Sequence, residues 1–168
     1  MKLFKGIALS LFVLLSCSAV QAQKIGHIDY TAVLTAMPEV KVANSQLEAL
    51  EKQLTRQLES MQTKAQAKQQ EALALAKTDK LTPQMEQQYT AELTKMQEDM
   101  QKAYANSETQ VAKRREALLK PIIEKLEGKI KEVAAAKGLG YVLDAGQLHY
   151  MGGGTDITPD VRKALGLQ

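Results

Sequence analysis

One spacing dominates the middle of this sequence and limits what it can fold into. Residues that are mostly apolar or small recur at intervals of four, four and three, first at Leu47, Leu50, Leu54, Leu58, Met61, Ala65, Gln69, Ala72 and Ala76. The same rhythm returns at Met85, Tyr89, Leu93, Met96, Met100, Tyr104, Ser107, Val111, Arg115, Leu118, Ile122 and Leu126. An eleven-residue repeat averages about 3.67 residues per turn, so it predicts nearly straight helices that meet along one narrow seam.

The two stretches are separated by a short polar break, KTDKLTP, at residues 77–83. Two helices of matching rhythm joined by such a break predict an antiparallel helical hairpin folded about Lys80. Asp79 or Thr82 would cap the returning helix, and Pro83 suits its first turn. We expect the bend between a helical arm and a small body at Pro121, although a proline simply tolerated in an exposed helix is an alternative.

The ends of the chain have strand and turn patterns instead. Ile25–Asp29, Tyr141–Asp144 and Leu148–Met151 are predicted strands, the last two forming a hairpin around Ala145-Gly146-Gln147. Gly138 should end the long helix, and Thr158 should cap a last short helix opened by Pro159. The predicted fold is mostly α with a small β body: a long antiparallel helical hairpin, a coiled-coil tentacle over residues 40–120, attached to a short-stranded oligomerisation domain of residues 23–39 and 121–168.

Residues 1–22 are typical of a secretory signal peptide. Lys2 and Lys5 precede an apolar run over residues 7–20, and Val20-Gln21-Ala22 is a plausible cleavage site. The predicted location of the processed chain is therefore outside the cytoplasm. A lipoprotein signal with Cys17 as the lipidated residue is an alternative, although Leu15 fits it poorly.

Cleavage would change the composition in ways that exclude some functions. The only cysteine would be lost, so the processed chain would contain no disulfide. Of the 22 basic residues, Lys2 and Lys5 would go, leaving 20 against 19 acidic residues. This balance argues against nucleic acid as a partner.

The predicted body is very small, and the processed chain contains no Trp or Phe with which to fill a core. Short sheets have edges that need covering, so self-association is expected. The residues predicted to form the oligomerisation core are Ile25, Ile28, Val142, Leu143, Leu148 and Ile157.

The sequence gives no support for an enzyme or for a cofactor. Gly152-Gly153-Gly154 precedes Thr155 and Asp156 without the lysine of a phosphate-binding P-loop. His27, Asp29, Asp144 and His149 could in principle ligate a metal, but polar residues at a sheet edge are the more ordinary explanation. We therefore predict no catalytic, cofactor or metal site.

Two further groups are candidates for binding. Methionine adapts to irregular apolar partners. If the two helices separate locally, the seam could present apolar side chains to a client chain; the simpler explanation is that these side chains pack the hairpin. These candidates are Met61, Met85, Tyr89, Met96 and Met100. A basic cluster at Lys113, Arg114 and Arg115 could meet acidic lipid headgroups or acidic segments of a substrate, or could be an ordinary solvated helix face.

The two ends also carry a family resemblance. KIGHIDYTAVLTAMPEV near the start, with GLGYVLDAGQLHY and DITPDVRKAL near the end, resembles the Skp/OmpH family of periplasmic chaperones. The resemblance implies a homotrimer whose helical tentacles hold unfolded outer-membrane proteins without ATP, with lipopolysaccharide or membrane-surface contact as a further expectation. The expected function is an ATP-independent holdase that prevents aggregation of β-barrel proteins before membrane insertion. The alternative is a periplasmic coiled-coil scaffold or adaptor that binds one folded partner.

Overall fold

A computed structural model describes residues 24–167 as two compact units. The sheet unit comprises residues 24–33 and 128–167, and the arm unit comprises residues 34–127. In chain order the elements are β1 (Ile25–Ile28), α1 (Tyr30–Ala36), α2 (Pro38–Lys77), α3 (Pro83–Lys137), β2 (Tyr141–Asp144), a 3₁₀ turn (Ala145–Gln147), β3 (Thr155–Asp156) and α4 (Thr158–Ala164). The predicted signal peptide lies outside the described residues.

The arm unit is the predicted antiparallel hairpin of helices α2 and α3. Polar contacts between the two helices fix its register: Glu39 Oε1 lies 2.5 Å from Lys125 Nζ, and Lys68 Nζ lies 3.0 Å from Glu92 Oε2. Between these pairs, Arg114 Nη2 donates a hydrogen bond of 2.8 Å to Gln46 Oε1. Residues later in α2 contact residues earlier in α3, as in an antiparallel pair. The hairpin predicted about Lys80 is therefore confirmed.

The tip of the hairpin is closed by local hydrogen bonds. Thr82, rather than Asp79, caps the start of α3: its hydroxyl accepts from the Met85 N–H at 3.3 Å. Its carbonyl accepts from the Glu86 N–H at 2.9 Å. Asp79 lies beyond the end of α2 with a φ of 55°, a left-handed conformation that aspartate tolerates better than most residues.

The seam of α2 differs from the predicted eleven-residue rhythm. Gln69 and Ala76 are exposed, whereas their neighbours Lys68 and Leu75 are half-buried. From its third residue onwards, the covered positions of α2 are Val40, Ala43, Leu47, Leu50, Leu54, Leu58, Met61, Ala65, Lys68, Ala72 and Leu75. Apart from the step from Leu54 to Leu58, these steps alternate between three and four residues. That heptad spacing keeps one helix face turned towards a single partner.

Helix α3 keeps the longer repeat. Half-buried residues recur along it every eleven positions, at Met85, Met96, Ser107, Leu118 and Lys129. Two predicted seam residues are nevertheless wrong, because Tyr104 and Arg115 are exposed. Ala103 is half-buried in place of Tyr104, since a small residue fits the covered position and the large phenol ring stays outside.

Complete burial in the arm unit is confined to one part of the hairpin. Its buried apolar side chains are Met37, Val40, Ala43, Leu47, Leu54, Ile122 and Leu126. Between Leu54 and Ile122 the structure buries no side chain completely. Helix α3 continues through Pro121, and the bend expected there stays a prediction. The distal part of the hairpin is therefore held only by half-buried contacts.

The sheet unit contains three parallel strands in the order β2-β1-β3. β1 pairs with β2 from Ile25↔Tyr141 to Ile28↔Asp144, and with β3 at Gly26↔Thr155 and His27↔Asp156. One sheet face covers the interior of the unit, where the buried side chains are Ile28, Val33, Ile157 and Val161.

The hairpin predicted between Tyr141–Asp144 and Leu148–Met151 is wrong. Asp144 Oδ1 accepts a hydrogen bond of 3.1 Å from the Gly146 N–H, and the chain makes a 3₁₀ turn at Ala145–Gln147. This side-chain contact turns the backbone locally instead of returning it as a strand. Residues 148–151 are not a strand, and the third strand is Thr155–Asp156.

The helix ends predicted from the sequence are only partly confirmed in the sheet unit. Gly138, with a φ of 64°, ends α3 as predicted, and the Leu139 N–H donates to the Ala134 carbonyl. Thr158 does not cap α4 but is its first residue. Its hydroxyl accepts from the Asp29 N–H at 3.0 Å, and its own N–H donates to Asp156 Oδ1 at 2.8 Å.

Gly26 and Gly128 offer a matched test of packing in the sheet unit. A Cβ on Gly26 would lie 2.6 Å from Leu139 Cδ1 and 3.2 Å from the Thr155 carbonyl oxygen. We predict that Gly26→Ala lowers the free energy of unfolding by about 1–3 kcal/mol through overpacking. Gly128→Ala is the control: nothing lies near its added methyl group, and we expect it to stabilise α3 by about 0.5–1 kcal/mol. Urea denaturation followed by circular dichroism, at one protein concentration, measures both; equal midpoints would contradict the prediction.

Asp156 should make the sheet unit sensitive to acid. A side-chain hydrogen bond from Thr158, followed by the Thr158 backbone N–H, lowers the pKa of this carboxyl below its ordinary value. A group with a lowered pKa stabilises the fold above its unfolded pKa, and that contribution is lost as the pH falls through the folded value. We therefore predict that Asp156→Asn loses less stability than the unchanged protein between about pH 5 and pH 2.

The measurement is the urea midpoint at several pH values across that range. Asp99→Asn, at an exposed position of α3, is the control for removing one aspartate and should follow the unchanged protein. An Asp156→Asn variant with the same acid sensitivity as that control would show that the contact with Thr158 contributes nothing.

Candidate functional site

The outer face of the sheet is apolar and exposed. Side chains alternate along β1 and β2, so that Ile25 and His27 share a face with their partners Tyr141 and Leu143. Ile25 is 47% exposed, Tyr141 is 55% exposed and Leu143 is 41% exposed. A parallel sheet is ordinarily covered on both faces. Within the part of the chain that the structure describes, this face is open.

An open groove borders the same face. Its volume is about 520 Å³, and its walls include Ile25, His27 and Leu143 on one side and the loop 150–154 on the other. Tyr150 and Met151, both exposed, extend the apolar surface along this loop. The exposed face together with its groove is called the sheet face below.

The six residues predicted to form the oligomerisation core lie in two different environments. Ile28 and Ile157 are almost completely buried in the sheet unit of a single chain. Val142 and Leu148 are half-buried, whereas Ile25 and Leu143 are exposed on the sheet face. Tyr141, which the sequence analysis did not select, belongs to the same face. Strict alternation along YVLD could have identified it, because Tyr141 and Leu143 are two residues apart.

The predicted client-binding residues of the arm unit lie along its seam. All of them are half-buried, and none is fully enclosed: Met61, Met85, Tyr89, Met96 and Met100. By the register of the hairpin, Met61 on α2 lies at the level of Met100 on α3. The flexible thioether side chains therefore occupy the part of the arm where burial is incomplete.

A lateral groove on the arm unit was not predicted. Its volume is about 460 Å³, and Leu54, Leu58 and Val111 line it beside Tyr104. Tyr104 is 60% exposed, so its ring is available at the edge of an apolar cleft. The sequence analysis assigned Tyr104 to the seam, because a spacing of four was counted where the helix uses three. Exposed Leu73, further along α2, is a second apolar residue that faces away from the seam.

A charged residue also occupies the seam. Lys68 is half-buried, where the sequence analysis had expected Gln69. Its ammonium lies 3.0 Å from Glu92 Oε2 on the facing helix and 4.5 Å from the centroid of the Tyr89 ring. A side-chain hydrogen bond to Glu92 is the main cause that raises the pKa of Lys68. The sequence signal for this contact was a pair of opposite charges, Lys68 and Glu92, at the same level of two antiparallel helices.

The basic cluster is partly engaged within the arm unit. Arg114 donates a hydrogen bond to Gln46, and Arg115 Nη2 lies 3.9 Å from Glu51 Oε1. Lys113 is exposed. At the base of the arm, a hydrogen bond from Lys125 lowers the pKa of Glu39. The two guanidinium groups therefore bridge helices as well as carrying surface charge.

Neither a metal cluster nor a spanning helix is found in residues 24–167. No three His, Cys, Asp or Glu side chains of this range come together as a metal site would require. His27 lies on β1 next to β3, whereas Asp29 follows β1 and accepts the Ala32 N–H through Oδ1 at 2.8 Å. Across the same range, no helix is both long and apolar enough to cross a membrane.

Comparisons with known proteins agree with this architecture. A comparison with curated proteins finds no match. Among solved structures, a chain described as an outer membrane chaperone (OmpH-like) from Caulobacter crescentus CB15 superposes with a TM-score of 0.74 at 17% identity. The alignment covers 88% of this chain and 86% of that one, so the two share a fold. The model of the family "Outer membrane protein (OmpH-like)" matches residues 24–165. The chain therefore belongs to the OmpH-like outer membrane protein family.

Proposed function

We propose that this chain is an ATP-independent holdase chaperone of the periplasm that binds unfolded outer-membrane β-barrel proteins and prevents their aggregation before membrane insertion. The observation that carries the proposal is the incomplete burial of the arm. Between Leu54 and Ile122 no side chain is completely buried, although methionine and tyrosine recur there. Membership of the OmpH-like family and the chaperone description of the Caulobacter structure support a chaperone-type role.

Incomplete burial suits a binder of unfolded chains. Helices gain most of their stability from packing, so a hairpin with one thin seam can separate locally at small cost. Its methionines can then contact apolar side chains of many shapes. Each contact is weak, but several contacts along one arm add through their effective concentration. Loose binding of this kind also allows release without a nucleotide.

The clients have a physical need for such a partner. A transmembrane barrel can satisfy its backbone hydrogen bonds in lipid only after its sheet has closed. Before that, its strands expose apolar side chains and unpaired edges, which favour aggregation. An arm that offers adaptable apolar side chains would shield these strands. Because Arg114 and Arg115 contact the facing helix, capture in this proposal depends on apolar contact rather than on the basic cluster or on lipopolysaccharide.

The sheet face supports self-association, with a homotrimer as the proposed assembly. Ile25, Tyr141 and Leu143 form an exposed apolar surface on a small parallel sheet. Covering that surface would remove apolar area from water, which stabilises an oligomer. Ile28 and Ile157, already buried within one chain, would support the interface from beneath. Several arms in one assembly would surround a client more completely than a single arm.

The alternative is a scaffold or adaptor that binds one folded partner through its coiled coil. A folded partner would require a defined and rigid docking surface, because area alone gives no specificity. The distal arm, with half-buried side chains and no complete burial, is better suited to a changing partner. The number of unrelated proteins that the chain binds therefore distinguishes the two functions: several unfolded clients for a holdase, one folded partner for an adaptor.

The first test is aggregation of a denatured client. We expect the processed protein to keep at least two unrelated outer-membrane barrels soluble when each is diluted from urea, without ATP, because the arm's contacts are adaptable. Sedimentation velocity would report one defined complex for each barrel. If the barrels precipitate as they do alone, or if only one folded protein is bound, the adaptor function replaces the holdase.

A second test concerns the sheet face. We predict that the double variant Ile25→Asp/Leu143→Asp converts the oligomer to monomers, because charged groups on a buried apolar interface would be left unpaired. Leu73→Asp is the matched control, since it also places a charge on an exposed apolar residue but lies on the arm. Sedimentation equilibrium gives the masses. If the double variant has the same mass as the control, the interface does not lie on the sheet face.

A further inference from the structure

Four polar side chains lie together between the two helices of the arm unit in its distal part, with Lys68 at their centre. Lys68 and Glu71 come from α2, and Tyr89 and Glu92 come from α3. The Lys68 ammonium lies 3.0 Å from Glu92 Oε2, 3.5 Å from Glu71 Oε2 and 4.5 Å from the centroid of the Tyr89 ring. These four residues are called the Lys68 clasp below.

The clasp lies in the part of the arm where no apolar side chain is completely buried. The side chain of Lys68 is 27% exposed, much less than that of Glu92 at 53%. In the described hairpin, no side chain between Leu54 and Ile122 is completely buried. The Lys68 ammonium also lies 4.5 Å from the centroid of the Tyr89 ring, so a second contact joins the helices at this level. Polar contacts therefore supplement a thin apolar seam.

The clasp also covers an aromatic surface. The ammonium lies over the Tyr89 ring in a cation–π arrangement, so it covers part of one ring face. Tyr89 is half-buried, and Met85 and Leu93 lie one helical turn away on either side of it. When the contact with Lys68 breaks, that face of the Tyr89 ring becomes accessible.

We propose that the Lys68 clasp is an electrostatic closure of the distal arm, and that its release uncovers Tyr89 and the neighbouring apolar residues for the aromatic and aliphatic side chains of an unfolded chain. The closure is a structural claim about the arm itself. Its use in client capture rests on the proposed holdase function.

The physics of the clasp gives it a characteristic dependence on salt. Its charges are partly exposed, and the Debye length falls from about 30 Å at 0.01 M salt to about 3 Å at 1 M. Salt therefore weakens the attraction between Lys68 and its carboxylates and favours the open arm. A client captured by charge would bind more weakly in salt, whereas a client captured by an opened apolar seam binds more strongly.

The experiment measures arm opening without a client. Residues 18–168 contain no cysteine, so Gln66→Cys and Gln97→Cys place one spin label on each helix, both at exposed positions. Electron paramagnetic resonance on the processed protein, diluted with unlabelled chains, gives the distance distribution within one arm. We expect a narrow distribution at low salt that broadens as salt is added.

Charge variants then test the clasp itself. Lys68→Glu should broaden the low-salt distribution, with the ratio of closed to open arms falling about two- to fivefold, as expected for a partly exposed ion pair. Lys64→Glu makes the same charge change one turn earlier on α2, at an exposed position. The distance distribution of this variant should stay narrow. The swap Lys68→Glu/Glu92→Lys should recover the narrow distribution. If Lys68→Glu matches Lys64→Glu at low salt, the clasp does not close the arm.

A client assay separates this proposal from the holdase function. At low salt, Lys68→Glu should keep a urea-diluted barrel soluble at a lower chaperone concentration than Lys64→Glu does. If the arms open and the barrel still precipitates with every variant, the holdase function fails and the closure stands. If the barrel is held equally well while the distances are unchanged by Lys68→Glu, the closure is overturned and the holdase function stands.

Discussion

Two helices that pack only against each other share a single face, and most features of the arm unit follow from that constraint. A third layer would allow each helix to bury a broad stripe, but a pair buries only a narrow seam. Near Glu39 and Lys125 the seam contains large aliphatic residues and is closed completely at several positions. Further along, alanine and methionine take their place, and burial becomes partial. The arm therefore changes from a packed helix pair to a loosely held one along its own length.

The loosely held part relies on other interactions to remain paired. Lys68 replaces an apolar side chain at the seam and bridges to Glu92. Exposed ion pairs of this type contribute little individually, so the helices are paired without being locked. A binder of unfolded chains benefits from this balance, because a rigid surface would select one partner and an unpaired helix would not remain folded.

The sequence predicted the large features of the fold because they repeat. Two helices, the break between them and the hairpin about Lys80 follow from a pattern that many residues share. The placement of Lys68 rather than Gln69 at the seam does not follow from that pattern, because a step of three or of four residues is allowed here. The contact of Lys68 with Glu92 and Tyr89 decides between the two. The predicted strand at Leu148–Met151 failed for a local reason, since one carboxylate, Asp144, turned the chain.

The candidate site could be predicted only in outline. The methionines of the arm followed directly from the helical pattern, but their partial exposure depends on how far apart the helices lie. The sheet face required knowledge of the strand pairing, because β1 and β2 come from opposite ends of the chain and pair in parallel. A two-residue strand such as Thr155–Asp156 has no pattern long enough to detect. Tyr104 was misplaced by a single residue in the count.

The pairing of β1 with both later strands has a consequence for the order of events during synthesis. The central strand, Ile25–Ile28, is among the first segments described, whereas its neighbours end at Asp144 and Asp156. All contacts within the hairpin are available once residue 127 has emerged. The central strand has no partner until Tyr141–Asp144 has emerged, and the three-stranded sheet is complete only when Thr155–Asp156 has emerged. A chain that has emerged only as far as residue 140 can therefore form the helices of its arm but no sheet, and the sheet face, which combines residues of β1 and β2, forms after the arm.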